Sequence, residues 1–491
     1  MKQQLIRFSV LCAWMFIGYS GTALTGCGKK GSSPQPPPVT PPDSTTKTPV
    51  ATQVNFWLTN GDQSALLAKQ NVSLNFSGTP GAGPSITVDS TVQYQSIDGF
   101  GFALTGGSAD LIYHMDPTSR ASILKELFGS DSTSIGISYL RVTIGASDLS
   151  SSVYSYDDVG NGQTDTTLSN FNLMAGDVNV VPVLQMILAI NPNIKILACP
   201  WSAPAWMKTN KSASGGSLLP QYYQVYANYF VKYIQAMKAQ GIRIDAITPQ
   251  NEPLNANNNP AMVVQAVTED TLVRFYLGPT FAANGITTKI IVWDHNCDVP
   301  TYPETIFADT ATDKYVDGSA WHFYAGSITA LGVVHTAFPN KNVYFTEFYT
   351  ASTGDFAADL SYHLKNIIIG STQNWSRNAI EWNLASDPNY QPHTPGGCST
   401  CKGALTIGSS VTRNVSYYII AHASKFVLPN SVRISSGAAG NLNNVAFLRP
   451  DGKKVLIVEN DNTSAQTFNI QFNGKWVSTS LNGGSVGTYM W

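Results

Sequence analysis

From about residue 96 to 405, short apolar segments alternate with longer stretches that carry helix punctuation, and this alternation constrains the chain more than any other feature. Eight segments read as strands: Gly99 to Leu104, Ser138 to Ile144, Ile194 to Cys199, Ala246 to Gln250, Lys289 to Trp293, Gly318 to Phe323, Asn342 to Thr346 and Ala379 to Asn383. Several are apolar without alternation, as strands covered on both faces must be. Between them, Asp116-Pro117 offers an N-cap followed by proline at the first helical position. Pro220 opens another helix, with Tyr226, Phe230, Tyr233, Ile234 and Met237 at helical spacing and Gly241 beyond its end. Eight such repeats predict an α/β fold, a (β/α)8 TIM barrel, whose reactive groups lie just past the strand C-termini.

The flanks lack this rhythm. Val54 to Leu58, Val72 to Phe76 and Ile86 to Tyr94 read as strands before the barrel. After it, apolar runs such as Val445 to Leu448 and Val455 to Val458 are divided by turn signals at Asp451-Gly452, Asn473-Gly474 and Asn482-Gly483. The expected organisation is a barrel over residues 96–405 and one side β-sandwich built from both ends of the chain, residues 51–95 and 406–491.

The N-terminal 26 residues read as a secretory signal peptide, with Lys2 and Arg7 ahead of an apolar run too short to span a bilayer. Leu24-Thr25-Gly26-Cys27 resembles the bacterial lipobox, which implies that Cys27 becomes a lipidated residue and that the protein sits in a bacterial cell envelope, lipid-anchored outside the cytoplasm. Residues 27–50 then form a proline-rich tether unable to pack a core. No later stretch is apolar enough to span a bilayer, so membrane contact is expected only through the anchor. Charged residues make up only 12% of the 491, and 29 basic against 31 acidic residues leave a net charge of −2, which argues against nucleic acid as a partner. A local disulfide is favoured for Cys398 and Cys401 in an oxidising compartment, while Cys199 and Cys297 read as buried thiols at strand ends. The seven histidines show no metal-ligand spacing.

Two carboxylates stand out. The strand ending in Gln250 breaks at Asn251-Glu252-Pro253, which places Glu252 at the barrel mouth; there, partial removal from water is expected to raise its pKa and suit it to donate a proton. Asn342 to Thr346 repeats the design and ends at Glu347. One carboxylate after the fourth strand and one after the seventh is the pairing that retaining glycoside hydrolysis needs, an acid for the leaving oxygen and a nucleophile for the anomeric carbon. Glu381 lies inside a strand and is expected to face outward.

The chain resembles the glucosylceramidase-like enzymes of glycoside hydrolase family thirty. The resemblance rests on Gly99-Phe100-Gly101-Phe102, Leu140-Arg141-Val142, Ala146-Ser147-Asp148, the segment Pro200 to Lys208, Asn251-Glu252-Pro253, His322-Phe323-Tyr324 and Trp382-Asn383-Leu384-Ala385. It implies that Glu252 is the acid/base and Glu347 the nucleophile, with no metal and no cofactor. With the physical reading of the residues, it also points to a binding set. Asn251 is expected at the sugar 2-hydroxyl, Arg141 holding the nucleophile ionised, and His322 and Tyr324 at the end of the sixth strand. Trp201 and Trp382 offer faces for a sugar ring, Asp148 an acceptor for distal hydroxyls, and Trp206 packing. Gln250 and Phe348-Tyr349-Thr350 depart from the mammalian glucosylceramidases, which leaves the aglycone open, and Pro392 to Lys402 lies where it could remodel acceptor subsites. The expected activity is that of a retaining β-glycosidase on a β-linked glucan, in particular a β-1,6-glucan, or on a glucosyl lipid such as glucosylceramide. The alternative is a non-catalytic, glycan-binding surface lipoprotein.

Overall fold

The computed structural model describes residues 51–491; Cys27, the signal segment and the tether lie outside the described residues. Eight parallel strands close into a barrel: β1 (Gly99–Leu104), β2 (Tyr139–Thr143), β3 (Lys195–Cys199), β4 (Ala246–Ile247), β5 (Lys289–Cys297), β6 (Val316–Gly326), β7 (Asn342–Glu347) and β8 (Ser376–Asn383). Neighbours follow chain order, and β8 closes the ring on β1 through Ala379 opposite Phe100 and Ile380 opposite Gly101. Tyr139, Leu197, Ala246, Ile291, Ala320, Tyr344 and Ile380, one from each of β2 to β8, form a separate buried cluster that fills the interior. Since Ile380 points inward, Glu381 points outward, where it accepts a 2.7 Å hydrogen bond from His363 on the surrounding helix Phe356–His363.

Helix signals act where the sequence puts them. Asp116 caps Pro117–Phe128 by accepting from the Ser119 N–H, and Pro220 begins a tight turn that leads into Tyr223–Ala239, whose apolar residues pack into the barrel's outer core. The barrel does not end at residue 405 as expected. Helix Val415–Ser424 is buried at every position and packs against β1 and β8, so it belongs to the barrel's outer layer. The alternation was obscured because an insertion and a small sheet (Ala385–Ser386, Leu405–Ile407, Val411–Arg413) separate β8 from its helix.

Nine strands in one hydrogen-bonded sheet wrap around a second apolar core that includes Phe56, Ile86, Leu456, Phe468 and Tyr489. Asn55–Thr59, Ala68–Lys69 and Ser85–Ser96 precede the barrel and the other six follow it, so both ends of the chain build the sandwich. Asn55–Thr59 pairs antiparallel with Val486–Met490. Val72 to Phe76 is irregular instead of a strand, tied to residues 52–54 through the Leu74 carbonyl and the Thr52 hydroxyl. Among the described residues no helix is long and apolar enough to cross a membrane.

Candidate active site

Strand β4 is regular only over Ala246–Ile247; the chain then runs through Gln250 and Asn251 to Glu252, whose φ of 45° lies in the left-handed region. Such a backbone costs energy in a residue with a side chain and persists only where neighbours enforce it. Here the Glu252 N–H donates to the Asp294 carbonyl (3.0 Å) and the Asn251 N–H to the Pro200 carbonyl (2.8 Å), which turns the carboxylate into the barrel mouth. Glu347 closes β7 directly. One oxygen of each carboxylate and one ring nitrogen of His322 lie within 4.8 Å of one another.

Each carboxylate has its own set of donors. Arg141 Nη1 and the Tyr324 hydroxyl (2.9 Å) donate to the two oxygens of Glu347. The Asn255 side chain donates to Glu252 Oε2 (2.7 Å), and His322 Nδ1 stands 3.2 Å from Oε1. Behind both lies Asp294, fully buried. It accepts from Arg141 Nη2 (2.8 Å), Thr248 Oγ1 (2.7 Å), Thr346 Oγ1 (2.6 Å) and Cys199 Sγ (3.0 Å), and faces His322 Nε2 at 3.2 Å. One carboxylate therefore anchors the cation beside Glu347 and the one beside Glu252. Arg141 Nη2 also donates to Asn251 Oδ1 (2.7 Å), which fixes that amide.

Above this network a cavity of about 460 Å³ is lined by Glu252, Glu347, Asp148, Trp201, Trp382, Tyr324 and Tyr349, together with Cys398, Cys401, Leu254, Asn255, Asn258, His295 and Asn296. That volume suits a small ligand site. Arg141, Asn251 and His322 do not line the cavity; Arg141 and His322 act on Glu347 and Glu252, and Asn251 is held by Arg141. Trp201 and Trp382 stack on each other (centroids 5.2 Å apart), and both rings face the Arg141 guanidinium at 4.9 and 5.7 Å. Much of their surface is thus used to hold that arginine, and only the remainder meets the cavity. Trp206 is buried, with its indole N–H on the Asp157 carbonyl (2.9 Å).

Two family models match in tandem: the glycosyl hydrolase family 30 TIM-barrel domain over residues 97–427 and the family 30 beta sandwich domain over residues 430–489. The chain belongs to glycosyl hydrolase family 30. Among family members it is 36% identical to an endo-1,6-beta-D-glucanase of Aspergillus fumigatus over 436 residues, 81% of this chain and 86% of that protein. It is 28% identical to the lysosomal acid glucosylceramidase of Mus musculus over 443 residues, 84% of each. The solved structure of an endo-beta1,6-glucanase superposes with a TM-score of 0.84 at 35% identity, covering 90% of this chain and 99% of that one.

The electrostatics of this family 30 site differ from the sequence expectation at Glu252. Burial pushes its carboxyl up, but the hydrogen bond and charge of His322 outweigh burial and lower it to about 2. For Glu347 burial wins over the His322 and Arg141 charges, with Glu252 adding repulsion, and its pKa is raised. Burial lowers His322, yet the Glu347 charge and the hydrogen bonds to Asp294 and Glu252 carry it to about 9. Both its ring nitrogens face carboxylate oxygens, which requires two N–H donors and hence an imidazolium. Although Glu252, His322 and Glu347 are spaced as three metal ligands could be, a doubly protonated ring has no lone pair to offer one. Burial and the Glu347 charge raise Asp148 to about 7, and burial lowers His295 to about 4, so the ring at the Glu252 end of the cavity is neutral.

Asp294 is the functional residue that sequence reading missed. The strand signal stops at Trp293, and both Trp293 (φ 78°) and Asp294 (φ 63°) then take left-handed backbone that turns the carboxylate inward. An acid directly after an apolar strand was the available signal, the same one that marks Glu347.

Proposed function

We propose that the protein is a retaining endo-acting β-glucanase with preference for β-1,6-linked glucan. The observation that carries this reading is the pair of carboxylates, Glu252 and Glu347, with oxygens within 4.8 Å across one cavity, since retaining glycosidases hold theirs roughly 5–5.5 Å apart. Glu347 attacks the anomeric carbon as Glu252 protonates the departing oxygen. Water deprotonated by Glu252 then hydrolyses the glycosyl ester, which restores both groups.

The partners support this division of labour. Arg141 and Tyr324 cannot yield a proton near neutral pH, burial and the Glu347 charge holding the phenol well above its ordinary pKa, so both hydrogen bonds to Glu347 only stabilise it; His322 Nδ1 stands 3.6 Å from its Oε1 but closer, at 3.2 Å, to Glu252. Glu252 shares its proton with His322 across 3.2 Å, a titratable partner that can return it. The expected raised pKa of the acid is thus replaced by a reserve on the neighbouring ring.

The leaving group lies on the Glu252 side, where Asn255, Asn258, Asn296 and the neutral His295 line the cavity. Hydroxyl-rich sugar matches these donors and acceptors; a ceramide would meet only Leu254 as an aliphatic neighbour there. The 36% identity to an endo-1,6-beta-D-glucanase points the same way. Product analysis on β-1,6-glucan, β-1,3-glucan, glucosylceramide and an aryl β-glucoside tests the reading. β-1,6-Oligosaccharides are expected as the main product. Cleavage of glucosylceramide alone would move the assignment to a glucosyl lipid, and tight glucan binding with no sugar release would leave a binding protein. Lipid anchoring at Cys27 in the cell envelope is part of the proposal; Cys27→Ser is expected to move the protein from the membrane fraction to the soluble one.

A further inference from the structure

The segment between β8 and its helix is built against the cavity, which Cys398 and Cys401 line. Cys398 and Cys401 form a disulfide. Cys401 packs with Trp201, Trp382 and Leu149, and Cys398 and Tyr349 flank the same cluster. On one side the hairpin is sewn to the chain just past Glu347: Cys401–Lys402 pairs with Thr350–Ala351, and the Ser352 N–H donates to the Thr400 carbonyl (2.7 Å). On the other side it holds Asp148. The Cys398 N–H donates to Asp148 Oδ2 (3.3 Å), and the N–H of fully buried Thr394 donates to the Asp148 carbonyl (2.8 Å). Thr394 Oγ1 also reaches the Asn259 carbonyl in the loop that follows Glu252. Gly397 fits so closely that a Cβ there would lie 2.3 Å from the Asp148 carbonyl oxygen.

Asp148 itself sits in an irregular loop with no strand or helix to fix it. We propose that the disulfide-closed hairpin Cys398–Cys401 is a positioning element that holds the Asp148 carboxylate against the hydroxyls of the bound glucosyl ring remote from the anomeric carbon, and thereby sets selectivity for that ring. The inference rests on the glucanase reading, in which the leaving group lies beside Glu252; Asp148 feels the Glu347 charge more than the Glu252 charge. A polar group recognises a hydroxyl only when held within about 0.5 Å of its working position, and here the nearest donor to the carboxylate is a cross-linked backbone N–H.

The test is a double-mutant cycle read by calorimetry. Dissociation constants are measured for a glucose-configured iminosugar and for its 4-deoxy and 6-deoxy analogues. The proteins are wild type, Asp148→Asn, Cys398→Ser/Cys401→Ser, and all three substitutions together. Wild type is expected to bind at least one deoxy analogue roughly tenfold to a hundredfold more weakly than the parent, the range of a hydrogen bond to a charged group. Asp148→Asn collapses that ratio. Removing the disulfide lowers it about tenfold when Asp148 is present and less than about twofold in the Asp148→Asn background, a dependence that general loosening of the fold would not show. Should the double serine variant fail to fold, the same ratios are read on wild-type protein reduced in its folded state with a phosphine, with free thiols counted before and after. An unchanged ratio after disulfide removal, or an equal loss in both backgrounds, overturns the proposal. Wild type that binds the iminosugar but releases no sugar from glucan defeats the glucanase reading instead, and wild type that does not bind the iminosugar at all defeats both.

Discussion

Replacing Asp294 with alanine is the most informative single perturbation of this site. Four donors lie within 3.0 Å of its carboxylate and His322 Nε2 at 3.2 Å, all in a fully buried setting. The substitution leaves the Arg141 Nη2 and His322 cations without this counter-charge, and breaking a buried ion pair from one side costs about 3–5 kcal/mol. With an unfolding entropy of ~2.1 cal/mol/K per residue, residues 51–491 have roughly 0.9 kcal/mol/K in total, so the expected fall in Tm is about 3–5 °C. The catalytic effect should be larger. Arg141 and His322 each orient one catalytic carboxylate through the anchor, and an error near 1 Å in placement costs about 100-fold in rate. Because Asp294 does not line the cavity, KM is expected to change little while kcat falls by about two orders of magnitude. Asp294→Asn should recover little, since the neutral amide leaves the Arg141 and His322 cations without a counter-charge even where the Thr248 and Thr346 hydroxyls turn to accept from its N–H₂. Calorimetric melting and steady-state kinetics on glucan measure both effects. A Tm within about 1 °C of wild type together with kcat within about threefold would refute the claim that this carboxylate anchors the site.

Glu347→Ala is expected to abolish turnover, whereas Glu252→Ala should spare aryl glucosides with good leaving groups far more than glucan; equal losses on both would contradict the acid role. Tyr324→Phe removes the 2.9 Å donor from Glu347 and should lower kcat about 10- to 150-fold, checked by steady-state kinetics with unchanged melting. Burial raises Asp177 from 3.8 to about 7 against the hydrogen bonds from Tyr156 and Tyr154. Its folded pKa exceeds its unfolded one, so the stability linked to its protonation is full below about pH 4 and is lost as pH rises through about 7; Asp177→Asn should flatten the fall in Tm between about pH 4 and 7. Lys208 is fully buried, its Nζ donating to Ser202 Oγ (2.7 Å) and the carbonyls of Ala213 (2.9 Å) and Ala261 (2.7 Å). Lys208→Met strands the Ala261 carbonyl, while that of Ala213 keeps the Ala261 N–H (3.0 Å); the cost is about 1–3 kcal/mol, and a melting scan should show a Tm lower by about 1–3 °C.

The barrel was legible because several of its strands are apolar on both faces and helix signals separate them, and Glu252 and Glu347 were legible because each follows such a strand. Asp294 obeys the same rule but was hidden by two left-handed residues that no propensity announces. The charge state of Glu252 was misjudged because its controlling partner, His322, lies 70 residues away in sequence and only closure of the barrel brings it within 3.2 Å. The end of the barrel was misplaced because the insertion that carries Thr394 and the disulfide separates β8 from the helix that covers it. In each case the missing information was a contact between distant segments, which local pattern does not encode.

The pairing of Asn55–Thr59 with Val486–Met490 has a consequence for how the molecule is made. The first strand emerges more than four hundred residues before its partner, which at ~5–20 residues per second is roughly 20–90 s of synthesis. Through that interval Phe56, Trp57 and Leu58 lack their partner strand, and the barrel is itself being made until about residue 427. Ala68–Lys69 covers the other edge of Asn55–Thr59, so the edge that later pairs with Val486–Met490 stays open to a neighbouring chain until the last residues arrive.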